Sequence, residues 1–190
     1  KNLSIDWFTL RELPRIIRQG DWTITAGVWD DKEIIKLWPG KVEDYYGVAI
    51  DVGTTTIAAY LCNIRTMQVL ETVSMMNPQC KYGEDVMARI TFHMQNPGGL
   101  GRMSNDLFEG LNDLIQKACK ATHPPKEKKK DEDGKSIKDE NGEFVIIETP
   151  EEGKHYPRLK PTDIVDVTLG GNTAMHHIML KLDPQYVGLA

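Results

Sequence analysis

The sequence has no long apolar run, no paired-cysteine motif and no basic face, and each absence removes a class of function. No stretch approaches the roughly 18 apolar residues that cross a bilayer as a helix, and no charged, apolar, small-residue leader opens the chain. The expected location is the cytoplasm, with no membrane partner. With 23 Lys and Arg against 28 Asp and Glu the net charge is -5, and no basic surface interleaved with aromatics marks a nucleic-acid platform. The three cysteines, Cys62, Cys80 and Cys119, are widely spaced without the CxxC pairing that zinc and iron-sulfur sites favour. They read as reduced, buried thiols. GxxxxGK[ST] and GxGxxG are missing, which argues against a Walker ATPase or a Rossmann enzyme. HExxH is missing as well, and His176 and His177, adjacent on a helix, point about 100° apart, so one metal is poorly served by both.

What is present is a chain of 190 residues, 40% hydrophobic, enough for one good core or a core plus a small satellite. It begins with Lys and its end, LDPQYVGLA, closes no element, so a piece of a longer protein is expected. Residues 8–19 fit a short helix entered through Thr9, with Leu10, Leu13, Ile16 and Ile17 on one side and Pro14 early enough to be tolerated. Trp22, Ile24, Ala26 and Val28 alternate, Asp30-Asp31-Lys32 turns, and Glu33 to Trp38 runs back as a β-hairpin. From Tyr45 onward, Val48 to Ile50, Thr56 to Cys62 and Gln68 to Met75 read as an antiparallel meander.

The period then changes. Gly83 to Met94 places Val86, Met87, Ile90 and Met94 at helical spacing, and Asn96-Pro97-Gly98-Gly99 stops it. A longer helix is expected from an N-cap at Ser104, with Leu107, Phe108, Leu111, Leu114, Ile115, Ala118 and Cys119 as its stripe. After His123-Pro124-Pro125 comes a charge-dense segment without a core of its own, in which Asn141-Gly142 signals a projecting, mobile hairpin. That segment is a solvated face or an acidic docking surface. Asp163 to Leu169 reads as a buried strand, GGNT as a glycine turn and Ala174 to Leu182 as a helix.

Two loops carry candidate chemistry. In DVGTTT, Gly53 permits a tight turn and close backbone approach, Thr54, Thr55 and Thr56 offer amides and hydroxyls to phosphate oxygens, and Asp51 suits a magnesium ion held through its waters. The same hexamer is also compatible with an ordinary hairpin whose threonines satisfy the turn. In GGNT, a strand, a glycine turn and a helix start favour an anion. One of His176 and His177 is expected to face this loop, the other to be structural.

The order of these blocks resembles the first half of the acetate kinase, sugar kinase, heat-shock chaperone and actin ATPase superfamily. More narrowly, YGVAIDVGTTTIAAYL, SMMNPQCKYGEDVMARI and LGGNTAMHHIML followed by LDP look like the reductive activators of corrinoid proteins. The resemblance implies an α/β chain: residues 1–44 as the end of a middle or linker domain, and 45–190 as a first, ribonuclease-H-like ATPase subdomain with a charged insert at about 124–160. It implies ATP and magnesium as cofactors, Asp51 as the magnesium-associated carboxylate and Gly53 to Thr56 as the first phosphate loop. Gly170, Gly171, Asn172 and Thr173 would line the cleft near the γ-phosphate, with Asn172 the catalytic candidate that positions water or substrate. NPQCKYGEDV would lie near the cleft or a partner surface, with Asp85 its nominee. The implied activity is ATP-dependent support for reducing an inactive Co(II) corrinoid protein to Co(I), the electron passing through an iron-sulfur domain outside this chain. The second phosphate loop and the adenosine segment are also outside it, so this piece alone is expected to bind nucleotide weakly and to be inactive. Rival readings are a kinase or dehydratase activator of the same superfamily, or a non-catalytic docking module; a homodimer is an open expectation.

Overall fold

A computed structural model describes residues 2–124, 126–131, 134–150, 152 and 156–188. Strand β1 (Ser4–Ile5) runs parallel to β3 (Glu33–Pro39), and β2 (Ile24–Trp29) pairs antiparallel with β3, in the order β1-β3-β2. Asp30 and Asp31 make the expected turn with positive φ of 47° and 56°, a conformation that short acidic side chains tolerate. Helix α1 (Trp7–Gln19) packs on β3. Its start is Asp6 rather than Thr9. The Asp6 carboxylate accepts from the amides of Phe8 and Thr9 and so satisfies two donors that the helix itself leaves free.

The second sheet holds the main core. Strands β4 (Tyr46–Val52), β5 (Thr56–Asn63) and β6 (Gln68–Met76) form the expected antiparallel meander. Two short strands, β7 (Lys126–Lys128) and β8 (Ile146–Glu148), pair with each other in the charged segment. Strand β9 (Ile164–Gly171) then returns to lie parallel to β4, in the order β6-β5-β4-β9. The fold is thus mixed α/β, with parallel and antiparallel pairing within one sheet. Along β4, Val48, Ile50 and Val52 are buried while Ala49 and Asp51 face out, the period of two that a half-buried strand imposes.

Helix α2 (Val86–Gln95) and helix α3 (Gly99–Ala121) follow the meander, and helix α4 (Thr173–Met179) follows β9. Leu107, Leu111 and Leu114 of α3 bury against Ile50, Ile57 and Leu61, each contributing about 1.5–3 kcal/mol relative to an exposed side chain. Helix α3 begins at a Gly98 cap with φ 73°, well before Ser104. Ser104 is instead buried inside the helix, where its hydroxyl donates to Met179 O at 2.8 Å and ties α3 to α4. The stripe expected for α2 is rotated. Met87 and Met94 are 49% and 54% exposed, while Arg89 is fully buried beside Ile90, because that face turns toward backbone carbonyls that need a donor. Helix α2 starts at Val86, after its Asp85 cap, rather than at Gly83, and a 3-10 turn over Pro78–Tyr82 precedes it.

The charged segment is more than a single hairpin. The expected Asn141-Gly142 turn is present, with Gly142 at φ 81° and Lys138 bridged to Phe144. A second turn of similar sequence precedes it, with Gly134 at φ 80°. The amides of Lys135 and Glu143 donate to the carboxylates of Asp131 and Asp139 at 2.8 and 2.9 Å, the same bond in each turn. Among the described residues no helix is long and apolar enough to cross a membrane.

Candidate functional site

Parallel pairing of β4 with β9 brings the two loops together, since Asp51 lies opposite Gly170 and Val52 opposite Gly171. Both glycines are strand residues, so GGNT is not a glycine turn; the chain leaves the sheet only at Asn172. Asp51 is exposed, and a Cβ at Gly170 would meet nothing nearer than Ile50 O at 3.9 Å, which leaves open space beside the carboxylate. At Gly171 a Cβ would stand 3.0 Å from Val52 O and 3.7 Å from His176 Nε2. His176 is therefore the histidine that packs against the strand end. Its Nε2 is buried with no hydrogen-bond partner among the described residues. The His177 Nδ1 lies 2.8 Å from Thr173 O, one turn back on its own helix.

Gly53 is required for space rather than for an unusual φ, because a Cβ there would lie 2.4 Å from Thr56 O. Thr54 is half-buried, and Thr55 and Thr56 are exposed. Asn172 joins the loops. Its Nδ2 donates to Thr54 Oγ1 at 3.2 Å, and its Oδ1 accepts from Met175 N at 3.0 Å as the cap of α4.

Behind DVGTTT lies a buried polar network that sequence reasoning missed. Asn77, Gln79 and Arg89 are each fully buried. Asn77 Nδ2 donates to Gly53 O at 2.8 Å, and its backbone amide donates to Thr55 O at 2.8 Å. Arg89 Nη2 donates to Thr54 O at 2.5 Å and its Nε to Gly83 O at 2.9 Å. Gln79 Nε2 reaches Met103 O at 3.1 Å, carrying the network into α3. Burial pulls the Arg89 guanidinium below its ordinary value, but arginine remains charged at physiological pH. No carboxylate pairs with it among the described residues.

The available sequence signal was positional: Arg89 falls between Val86 and Ile90 on the face that an apolar stripe assigns to the core. Asp85, nominated from the same block, is the cap of α2, accepting from Ala88 N at 2.7 Å. Among the thiols, only Cys119 is buried, and desolvation pushes it up to about 11, whereas Cys62 and Cys80 are half-exposed. No group of three or more metal-capable side chains occurs among the described residues.

In a trans peptide the carbonyl of one residue and the amide of the next point to opposite sides. Drawing the carbonyls of Gly53 and Thr54 inward therefore turns the amides of Thr54 and Thr55 outward. Neither amide donates to a protein acceptor among the described residues. Two successive amides without a protein acceptor thus follow exposed Asp51 in one turn, and outward backbone amides are donors that an anion can take.

Residues 1–44 match the family model described as RACo linker region, and residues 46–130 match that described as RACo middle region. The break between them falls between the two sheets. The chain is similar to the corrinoid activation enzyme RamQ of Eubacterium limosum, with 29% identity over 150 residues, 79% of this chain and 19% of that protein. It is also similar to a solved structure described as a reductive activator for corrinoid, iron-sulfur protein, with a TM-score of 0.67 and 27% identity, covering 99% of this chain and 25% of that one. The chain thus spans a quarter or less of either relative.

Proposed function

Since the chain belongs to the RACo family, whose linker and middle regions it carries, we propose that it forms one half of the nucleotide site of an ATP-dependent activator acting on a corrinoid protein. The observation that carries this is the pair of free amides at Thr54 and Thr55 set beside exposed Asp51 where β4 and β9 end together. A meander with a parallel fourth strand is the architecture expected of a ribonuclease-H-like ATPase subdomain, which supports assigning residues 45–190 to one and 1–44 to the preceding linker.

The residues fit magnesium and a nucleotide. Asp51 is the carboxylate that would hold the ion, suited to a small hard cation that prefers oxygen ligands. Gly53 lets the backbone approach, and Thr54, Thr55 and Thr56 supply donors to phosphate oxygens. Gly170 and Gly171 keep the opposite strand end free of side chains near the γ-phosphate. Asn172 and Thr173 open α4 there, and Asn172, already bonded to Thr54, positions water or substrate. Bound ATP supplies the free energy that offsets an unfavourable Co(II) to Co(I) reduction. The loops contribute by binding it differently in open and closed arrangements, since a ligand indifferent to both shifts neither. An iron-sulfur cluster does not fit this chain's scattered thiols, and in this reading it belongs to a domain outside the chain.

Calorimetric titration of magnesium-ATP into the intact protein tests the reading, beside Asp51→Ala. The expected result is binding by the wild type and a loss of tenfold or more, roughly one charge-assisted contact, in the variant. A wild type that takes up no nucleotide would sink the ATPase reading and leave a docking role; unchanged binding by Asp51→Ala would remove Asp51 from the site.

A further inference from the structure

We propose that Arg89, with Asn77, is a positioning residue for the DVGTTT loop: the two side chains hold the loop carbonyls inward so that the amides of Thr54 and Thr55 face the cleft, and Arg89 places its charge directly behind them. The inference rests on the reading of that loop as a phosphate site and names what makes it one.

The geometry is specific. Asn77 holds Gly53 O and Thr55 O, and Arg89 holds Thr54 O, so three successive carbonyls are captured from one side. The capture is rigid because its members come from different elements. Asn77 caps the 3-10 turn, its Oδ1 accepting from Gln79 N at 2.9 Å; Arg89 lies on α2, and its Nη1 lies 3.3 Å from Met175 Sδ on α4. The loop cannot invert a peptide without breaking bonds made by two fully buried side chains.

The second half of the inference is electrostatic. A buried guanidinium is costly unless compensated, and here its hydrogen-bond partners are carbonyl, amide and sulfur atoms, with the Asp85 carboxylate acting on it through space and not as a bonded partner. DVGTTT and GGNT contain no basic residue, and Arg89, bonded to Thr54 O, places a fixed positive charge directly behind the free amides. In a low-dielectric surrounding such a charge acts over more than contact distance.

The test uses the intact protein with three probes, magnesium-ATP, magnesium tripolyphosphate and adenosine, and the variants Arg89→Met, Arg89→Lys and Asn77→Ser, each with its melting temperature. Arg89→Met is expected to weaken ATP and tripolyphosphate roughly tenfold or more while leaving adenosine affinity unchanged. Arg89→Lys, which keeps the charge and loses the fork, should recover part of that loss. Asn77→Ser keeps an oxygen for Gln79 N but loses the donor to Gly53, and should cost a smaller factor with the same phosphate dependence. These two variants carry the test if Arg89→Met does not fold. Equal losses for adenosine and ATP would mean a merely structural role and overturn the proposal, as would unchanged phosphate binding in all variants or a wild type that binds no tripolyphosphate. If the wild type takes tripolyphosphate but neither nucleoside probe, the ATP reading falls while the phosphate ratio still decides the role of Arg89.

Discussion

The two ends of the four-stranded sheet differ in how they treat polar groups. At the end where β4 and β9 finish, buried Asn77 and Arg89 bond inward-facing carbonyls and two amides are left free on the outside. At the other end, where Tyr45 leads into β4 and Val165 follows the start of β9, a cleft of about 390 Å³ is walled by Trp29, Trp38, Tyr45, Glu43, Asp44 and Asp166. The cleft is a clear concavity, yet its polar groups either pair near the surface, as Asp44 does with Arg65 and Asn63, or line it without a hydrogen-bond partner among the described residues, as half-buried Asp166 does. Volume alone would choose the cleft. Hydrogen-bond accounting points to the loops, because there a buried framework turns two amides outward with no protein acceptor among the described residues.

Gly53→Ala should break the difference between the two ends most severely. The added methyl would have to displace Thr56 O from 2.4 Å, at about 1–3 kcal/mol of stability by analogy with other overpacked sites, and the loop would lose its anion geometry. Denaturant unfolding and magnesium-ATP titration of the same variant read both effects.

Asp106→Asn tests the support beneath the loop end. The Tyr82 hydroxyl, and then Lys81, hold the Asp106 carboxyl below its ordinary 3.8. A depressed carboxylate contributes stability that is complete above the ordinary value and is lost as pH falls through the lower folded value. The variant should therefore be less stable by about 1 kcal/mol at pH 7, and the gap from wild type should close as pH falls below the ordinary carboxylate range and through the lowered folded value. Unfolding curves across that range check the sign.

Asp166→Asn, at the cleft end, should change least. With no hydrogen bond or ion pair at its carboxylate among the described residues, the expected shift is within about 0.5 kcal/mol, and nucleotide affinity should not move. A large effect on nucleotide binding would erase the distinction between the ends.

The positions of the two candidate loops were legible because each is marked by a local pattern. Asp51 and Gly53 end a strand whose Val48, Ile50 and Val52 announce the period of two, and Asn172 stands where a strand pattern gives way to a helical one. The misreadings came from residues whose surroundings are assembled from distant segments. Ser104 looked like a cap because serine favours caps, but a carbonyl of α4 gave it a partner inside α3. Met87 looked buried because hydropathy cannot show the carbonyls waiting in the core, which give that face to Arg89 instead. Gly170 and Gly171 looked like a turn because glycine commonly is one, whereas pairing with β4 kept them in the sheet.

The sequence by itself determined the meander, the long helix stripe, the two loops and the family resemblance, since each depends on residue order and periodicity within one segment. Only the tertiary structure decided that Thr54 and Asn172, 118 residues apart, share a hydrogen bond, that Arg89 lies behind the loop, and which loop amides remain free. Those facts depend on strand register and on which polar atoms burial leaves without water, and neither is a property of any segment read alone.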